Sequence, residues 1–219
     1  MRRARVCTGL LGIAFLGGCG ADAPAPAAPD AVQRSAAVAP APATPAPPAA
    51  AALGESGFWR LVELARRDAG GDTERQSALL AELLATLPAA QIADFGAIRR
   101  RLDAQAYTWD LWGAAYVIED GCSDDCFRDF RAYLIALGRA PYEAALKDPD
   151  SLAPVVQDAE AGDWENADDP APEAYEDATG EELPGGDGDL SGPPRGSAWD
   201  DEQADELQRR YPALAARFR

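Results

Sequence analysis

The sequence has no histidine and a single lysine, Lys147. Without histidine there is no Ser-His-Asp triad, no Cys-His dyad, no H-E-x-x-H zinc site and no imidazole base. A Schiff-base mechanism would rest on Lys147 alone. Cation is scarce overall: 20 Lys+Arg stand against 37 Asp+Glu, a formal charge of −17. That balance argues against nucleic acid, whose phosphates need clustered Lys and Arg. It also argues against an electrostatic grip on anionic lipid. The apolar run Val6–Gly18 is too short to span a bilayer. No alternating strand pattern and no Asn-Gly hairpin signal is present.

The charge is unevenly placed. Residues 1–118 hold 11 acidic and 11 basic side chains. Residues 119–206 hold 26 acidic and 5 basic, and residues 207–219 hold four Arg and no acid. The excess negative charge is therefore a local property, to be read segment by segment.

Residues 1–18 read as a signal peptide: Arg2, Arg3 and Arg5 precede the short apolar stretch. It ends Leu16-Gly17-Gly18-Cys19, which resembles the lipobox of bacterial lipoproteins. The resemblance implies that Cys19 becomes the lipid-bearing N-terminus, acylated and membrane-anchored. Gly20 rather than Asp follows it, which in proteobacteria-like cells implies the outer membrane. Acyl chains contribute about 0.8 kcal/mol per buried CH₂, so the acidic body needs no basic patch to stay at the membrane. Residues 19–54 then form the anchor and a tether. Within residues 20–52 there are 16 Ala and 8 Pro, which supply neither a helix nor a core. Fully extended, this stretch reaches on the order of 100 Å at about 3.1 Å per residue.

Residues 55–219 read as one all-α domain. Ser56 is placed to cap a helix carrying Phe58, Leu61, Val62 and Ala65, with Gly70 past its end. Asp72 caps a second, with Leu79, Leu80, Leu83, Leu84 and Leu87 as its stripe, stopped by Pro88. Ile92, Phe95, Ile98 and Leu102 mark a third, with Arg99, Arg100 and Arg101 mostly on its wet side. Leu111–Ile118 is uncharged and reads as a central buried helix, although so short a run also permits a strand. Ser123 or Asp124 caps a fifth, and Pro141 opens a sixth through Lys147. Residues 149–198 are acidic, rich in Pro and Gly and aperiodic, so most of this segment is expected as poorly ordered loop. Ala171–Thr179 is its one helix candidate. Leu207, Tyr211, Leu214 and Phe218 mark a final helix or two.

Several blocks resemble the DUF4240 family of bacterial proteins. They are Tyr107–Tyr116, Gly121–Asp125, Phe127–Arg131, Gly138-Arg139 and Asp148–Leu152, with Phe58-Trp59, Trp199-Asp200 and Arg217-Phe218 at the ends. The resemblance implies a helical domain over roughly residues 55–219. It supplies no reaction, ligand or catalytic residue. The lipobox, the tether and the second cysteine, Cys126, depart from the family pattern.

Cys122 and Cys126 are the two cysteines left in the domain. In an oxidising envelope they invite a disulfide, since i,i+4 Cα atoms in a helix lie about 6 Å apart. Two free thiols, or a redox pair, are the alternatives. Zinc is not expected, because two Cys and no His leave its tetrahedron unfilled. Asp187, Asp189 and Ser191 echo half a calcium loop, but Ala198 stands where the bidentate Glu belongs. Weak divalent cation binding by the whole acidic segment is the alternative to that loop, and a plain solvated charge run is the default reading.

Trp109, Asp110 and Trp112 are candidates to line a pocket, with Asp124, Asp125, Arg128 and Arg131 at its rim. The competing reading makes the tryptophans core, Asp110 a cap and the arginines ion-paired. No catalytic residue and no cofactor is assigned. The expected function is a non-enzymatic interaction module for an unknown envelope protein, presented on a tether. A carboxylate hydrolase or metal-dependent enzyme using Asp110 with Asp124 or Asp125 is the alternative.

Overall fold

The computed structural model describes residues 51–156, 162–186, 190, 192–200 and 204–218. Leu16–Cys19, the tether up to residue 50 and the Asp187/Asp189/Ser191 motif lie outside them. The described residues all fall in one unit, Pro47–Arg219.

The chain runs α1 (Gly54–Ala69), α2 (Thr73–Ala85), α3 (Ala89–Ala106), α4 (Trp109–Glu119), α5 (Asp124–Ala136) and α6 (Arg139–Lys147). A 3₁₀ turn (Pro149–Leu152) leads to α7 (Gly162–Glu165), α8 (Ala171–Thr179), α9 (Ala204–Arg210) and α10 (Pro212–Phe218). Helix α1 begins two residues before Ser56, with Leu53 as its N-cap and no side-chain cap. Leu53 is instead held by its amide, which donates to Asp94 at 2.9 Å. The α1–α2 connection turns through Gly70 and Gly71, at φ 70° and 99°, where a side chain would be strained. Asp72 then caps α2, accepting from the Arg75 amide at 2.9 Å.

Phe58, Phe95, Phe127, Phe130, Leu84, Ile92 and Leu134 form the centre of the core. Each such side chain contributes about 1.5–3 kcal/mol on burial. Helix α4 is buried on almost every side, through Leu111, Gly113, Ala114, Ala115, Val117 and Ile118. Its run is a helix rather than a strand, opened by Thr108, whose hydroxyl accepts from the Leu111 amide at 3.2 Å. Gly113 lets the C-terminal helices reach it: a Cβ there would lie 3.0 Å from Leu207 Cδ2 and 3.1 Å from Tyr211 Cε2. Asp150 fixes α10 from the side, accepting from the Ala213 and Leu214 amides at 3.0 and 2.9 Å.

The acidic segment differs from the loop its composition implies. Leu152, Val156, Trp164, Ala171 and Ala174 are buried in it, and α8 packs on α3. These apolar residues are too few and too irregularly spaced to give a periodic signal. Their packing also moves Arg99 off the wet side. Its guanidinium pairs with Asp169 at 3.1 Å, with its side chain only 11% exposed.

Candidate functional site

The aromatic face of α4 is built by stacking. Trp109 and Trp112 lie 5.2 Å apart at 8°, and Trp112 continues onto Phe127 at 5.0 Å and 8°. Trp199 closes this stack edge-on, 5.8 Å from Trp109, 6.2 Å from Trp112 and 5.0 Å from Tyr116. Two indole donors of this cluster are satisfied: Trp112 Nε1 donates to the Cys122 carbonyl at 2.9 Å and Trp199 Nε1 to the Trp109 carbonyl at 2.8 Å. Cys122 and Cys126 are joined as a disulfide with Cα atoms 5.3 Å apart. Ser123, between them, caps α5 by accepting from the Cys126 amide at 3.2 Å.

The seven residues nominated from the sequence for the pocket and its rim take separate partners. Trp109 and Trp112 belong to the stack. Asp124 and Asp125 sit exposed in the first turn of α5, where Asp125 pairs with Arg128 at 2.9 Å. Arg131 is buried and makes a two-pronged contact with Asp103, at 3.0 and 3.2 Å. Its guanidinium also lies over the Tyr107 and Phe127 rings, at 4.8 and 4.9 Å. Asp110 is not the cap of α4. Its carboxylate meets Arg210 at 3.3 Å, on the side where α9 and α10 pack.

Asp110 instead borders a different cavity, of about 650 Å³, with Thr108, Leu146, Lys147, Pro149 and Arg195 among its walls. Asp110 and Thr108 come from the start of α4, and Leu146, Lys147 and Pro149 from the end of α6 and the turn after it. Arg195 arrives on a strap that pairs with the chain beside Thr108 as an isolated parallel bridge. Its amide donates to the Tyr107 carbonyl at 3.1 Å, and its carbonyl accepts from the Trp109 amide at 2.9 Å. Its guanidinium donates to the Gln105 carbonyl. Lys147 occupies the last turn of α6, where a cation complements the helix carbonyls. Leu146 is 37% exposed and is the one exposed large hydrophobic residue among those described.

Burial pushes the Tyr211 phenol up to about 12, helped by the nearby Asp110 charge. Burial also raises Glu119, at the end of α4, above the usual carboxylate range. Its Oε1 is buried with no hydrogen-bond partner, but it does not line the cavity. Among the described residues no set of three Cys, Asp or Glu is grouped to hold a metal.

Residues 53–177, more than half of the chain, match the family described as "Protein of unknown function (DUF4240)". The chain belongs to this family. The DUF4240 match contains Thr108, Asp110, Leu146, Lys147 and Pro149, whereas Arg195 and Trp199 lie beyond its end. No curated protein and no solved structure matches the chain.

Sequence reading noticed Lys147 and Arg195 but gave neither a place in a site. Lys147 stands out as the sole lysine, and Arg195 occupies the ninth position of the half calcium loop that starts at Asp187. Their joint position depends on the strap's pairing beside Thr108. That single bridge has no sequence motif.

Proposed function

We propose that this DUF4240 protein is a lipid-anchored envelope protein whose helical domain works as a non-enzymatic binding module. The lipobox-like Leu16–Cys19 and the Ala/Pro tether support the anchor. Gly20 supports the outer membrane as its destination. One structural observation carries the module reading. Of the three carboxylates that the hydrolase alternative would use, Asp110 is engaged by Arg210 and Asp125 by Arg128, and Asp124 is exposed in the first turn of α5. A hydrolase of the paired-carboxylate type needs two carboxyls facing each other across one bond.

The test is crosslinking and pull-down of the lipidated protein from intact envelopes. A specific partner is expected, and recovery of none overturns the module reading. A Cys19→Ala variant should appear in the soluble fraction. Retention of that variant in the membrane overturns the anchor.

A further inference from the structure

The cavity beside Thr108 stands out electrostatically against the segment that builds most of it. Residues 119–206 contain 26 acidic and only five basic side chains: Arg128, Arg131, Arg139, Lys147 and Arg195. Three of the five are ion-paired: Arg128 with Asp125 and Asp129, Arg131 with Asp103, and Arg139 with Glu143. Lys147 and Arg195 form no ion pair among the described residues. Both line the same 650 Å³ cavity. In so acidic a segment, carboxylates to pair with are abundant, so two cations that form no ion pair among the described residues and share one concavity stand out from the composition.

The acids near them are already engaged. Asp110, the carboxylate on the cavity wall, meets Arg210 at 3.3 Å. Asp148 accepts from the Asp150 amide at 3.1 Å, and Asp150 accepts from the two α10 amides. Among the described residues Lys147 keeps its donors, and Arg195 uses part of its fork on the Gln105 carbonyl while other N–H groups remain. Exposed Leu146, with buried Leu111 and Ala145, gives the same cavity an apolar surface.

We propose that this cavity binds the free C-terminal end of a short peptide. The α-carboxylate lies between Lys147 and Arg195, in charge-assisted hydrogen bonds. The terminal aliphatic side chain lies on Leu146, and the Thr108 hydroxyl is placed to meet the peptide backbone. Inorganic phosphate shares the anionic chemistry but has nothing to place on Leu146. The proposal rests on the binding-module reading above and names the ligand of its cavity.

The test is calorimetric titration of the full chain in detergent with three probes: N-acetyl-Ala-Ala with a free carboxylate, the same peptide as its C-terminal amide, and inorganic phosphate. The acid should bind at least tenfold more tightly than the amide, since a lost charge-assisted pair is worth about that factor. Lys147→Gln should weaken the acid about tenfold, and Lys147→Arg should retain it. Arg195→Gln should act like Lys147→Gln. Lys147, on the exposed end of α6, keeps the test valid if the Arg195 variant loosens the strap. Equal binding of acid and amide, no binding of either, or an unchanged affinity in Lys147→Gln overturns the proposal. Tighter binding of phosphate than of the acid overturns the peptide class. Titration reads the cavity alone, so its outcome is separate from that of the crosslinking experiment.

Discussion

The Trp199 indole N–H donates to the Trp109 carbonyl at 2.8 Å, joining residues 90 apart in sequence. The same ring packs edge-on against Trp109, Trp112 and Tyr116. The strap from Pro193 to Trp199 is thus fixed at two points, its backbone at Arg195 and its side chain at Trp199. Trp199→Phe keeps an aromatic edge but loses the hydrogen bond and should cost about 1 kcal/mol. Trp199→Ala also removes the ring and should cost about 3 kcal/mol, less than a fully buried tryptophan would because Trp199 is half-buried. Chemical denaturation measures both, and equal costs would show that the ring does not matter.

Among the described residues Arg131 and Asp103 form the most buried ion pair, with side chains 5% and 26% exposed. Removing one partner leaves a charge without compensation in the core. Asp103→Ala should therefore cost about 3 kcal/mol. Replacing both, as Asp103→Ala with Arg131→Met, should recover part of that loss. A double variant no more stable than Asp103→Ala would contradict this account.

The Cys122–Cys126 disulfide closes a loop of only a few residues. Its chain-entropy contribution is about 2 kcal/mol at most. The Cys122 carbonyl also receives the Trp112 indole N–H, so the loop positions one end of the aromatic stack. Reductant should lower the thermal midpoint by a few degrees and change the tryptophan emission. An oxidised and a reduced protein with identical emission would argue that the loop holds its shape unaided.

Tyr211 should make the protein sensitive to alkali. Its folded value, about 12, lies above the ordinary tyrosine value of 10.0. Tyr142 is shifted in the same direction by burial. A raised folded value means that the folded state holds its proton where the unfolded state has lost it. The associated stability is full below pH 10 and falls as pH rises toward the folded value. Denaturation midpoints at pH 9, 10 and 11 should decline, and Tyr211→Phe should flatten that decline. An equal slope in the variant would remove Tyr211 from the effect.

Much of the helical order is legible in short-range chemistry. Asp72 and Ser123 cap where their side chains suggest, and Leu80, Leu84, Ile92, Phe95, Leu134 and Leu214 are buried as their spacing implies. Ser56 failed as a start signal because Leu53 is already held by Asp94, a residue 41 positions away. Trp164 gave no signal either, since one tryptophan among acids has no period. It packs on Phe130 at 4.8 Å.

The sequence by itself determined an all-α domain, the uncharged run Leu111–Ile118 and the confinement of the net negative charge to residues 119–206. Those properties follow from local periodicity, capping chemistry and composition. Tertiary structure alone decided that Leu111–Ile118 is a helix, which charges form ion pairs among the described residues, and that Lys147 and Arg195 line one cavity. Lys147 and Arg195 are 48 positions apart, and their shared cavity exists because one strap pairs beside Thr108 and α6 ends opposite it. Contacts at that separation are set by how the helices pack, which no local pattern records.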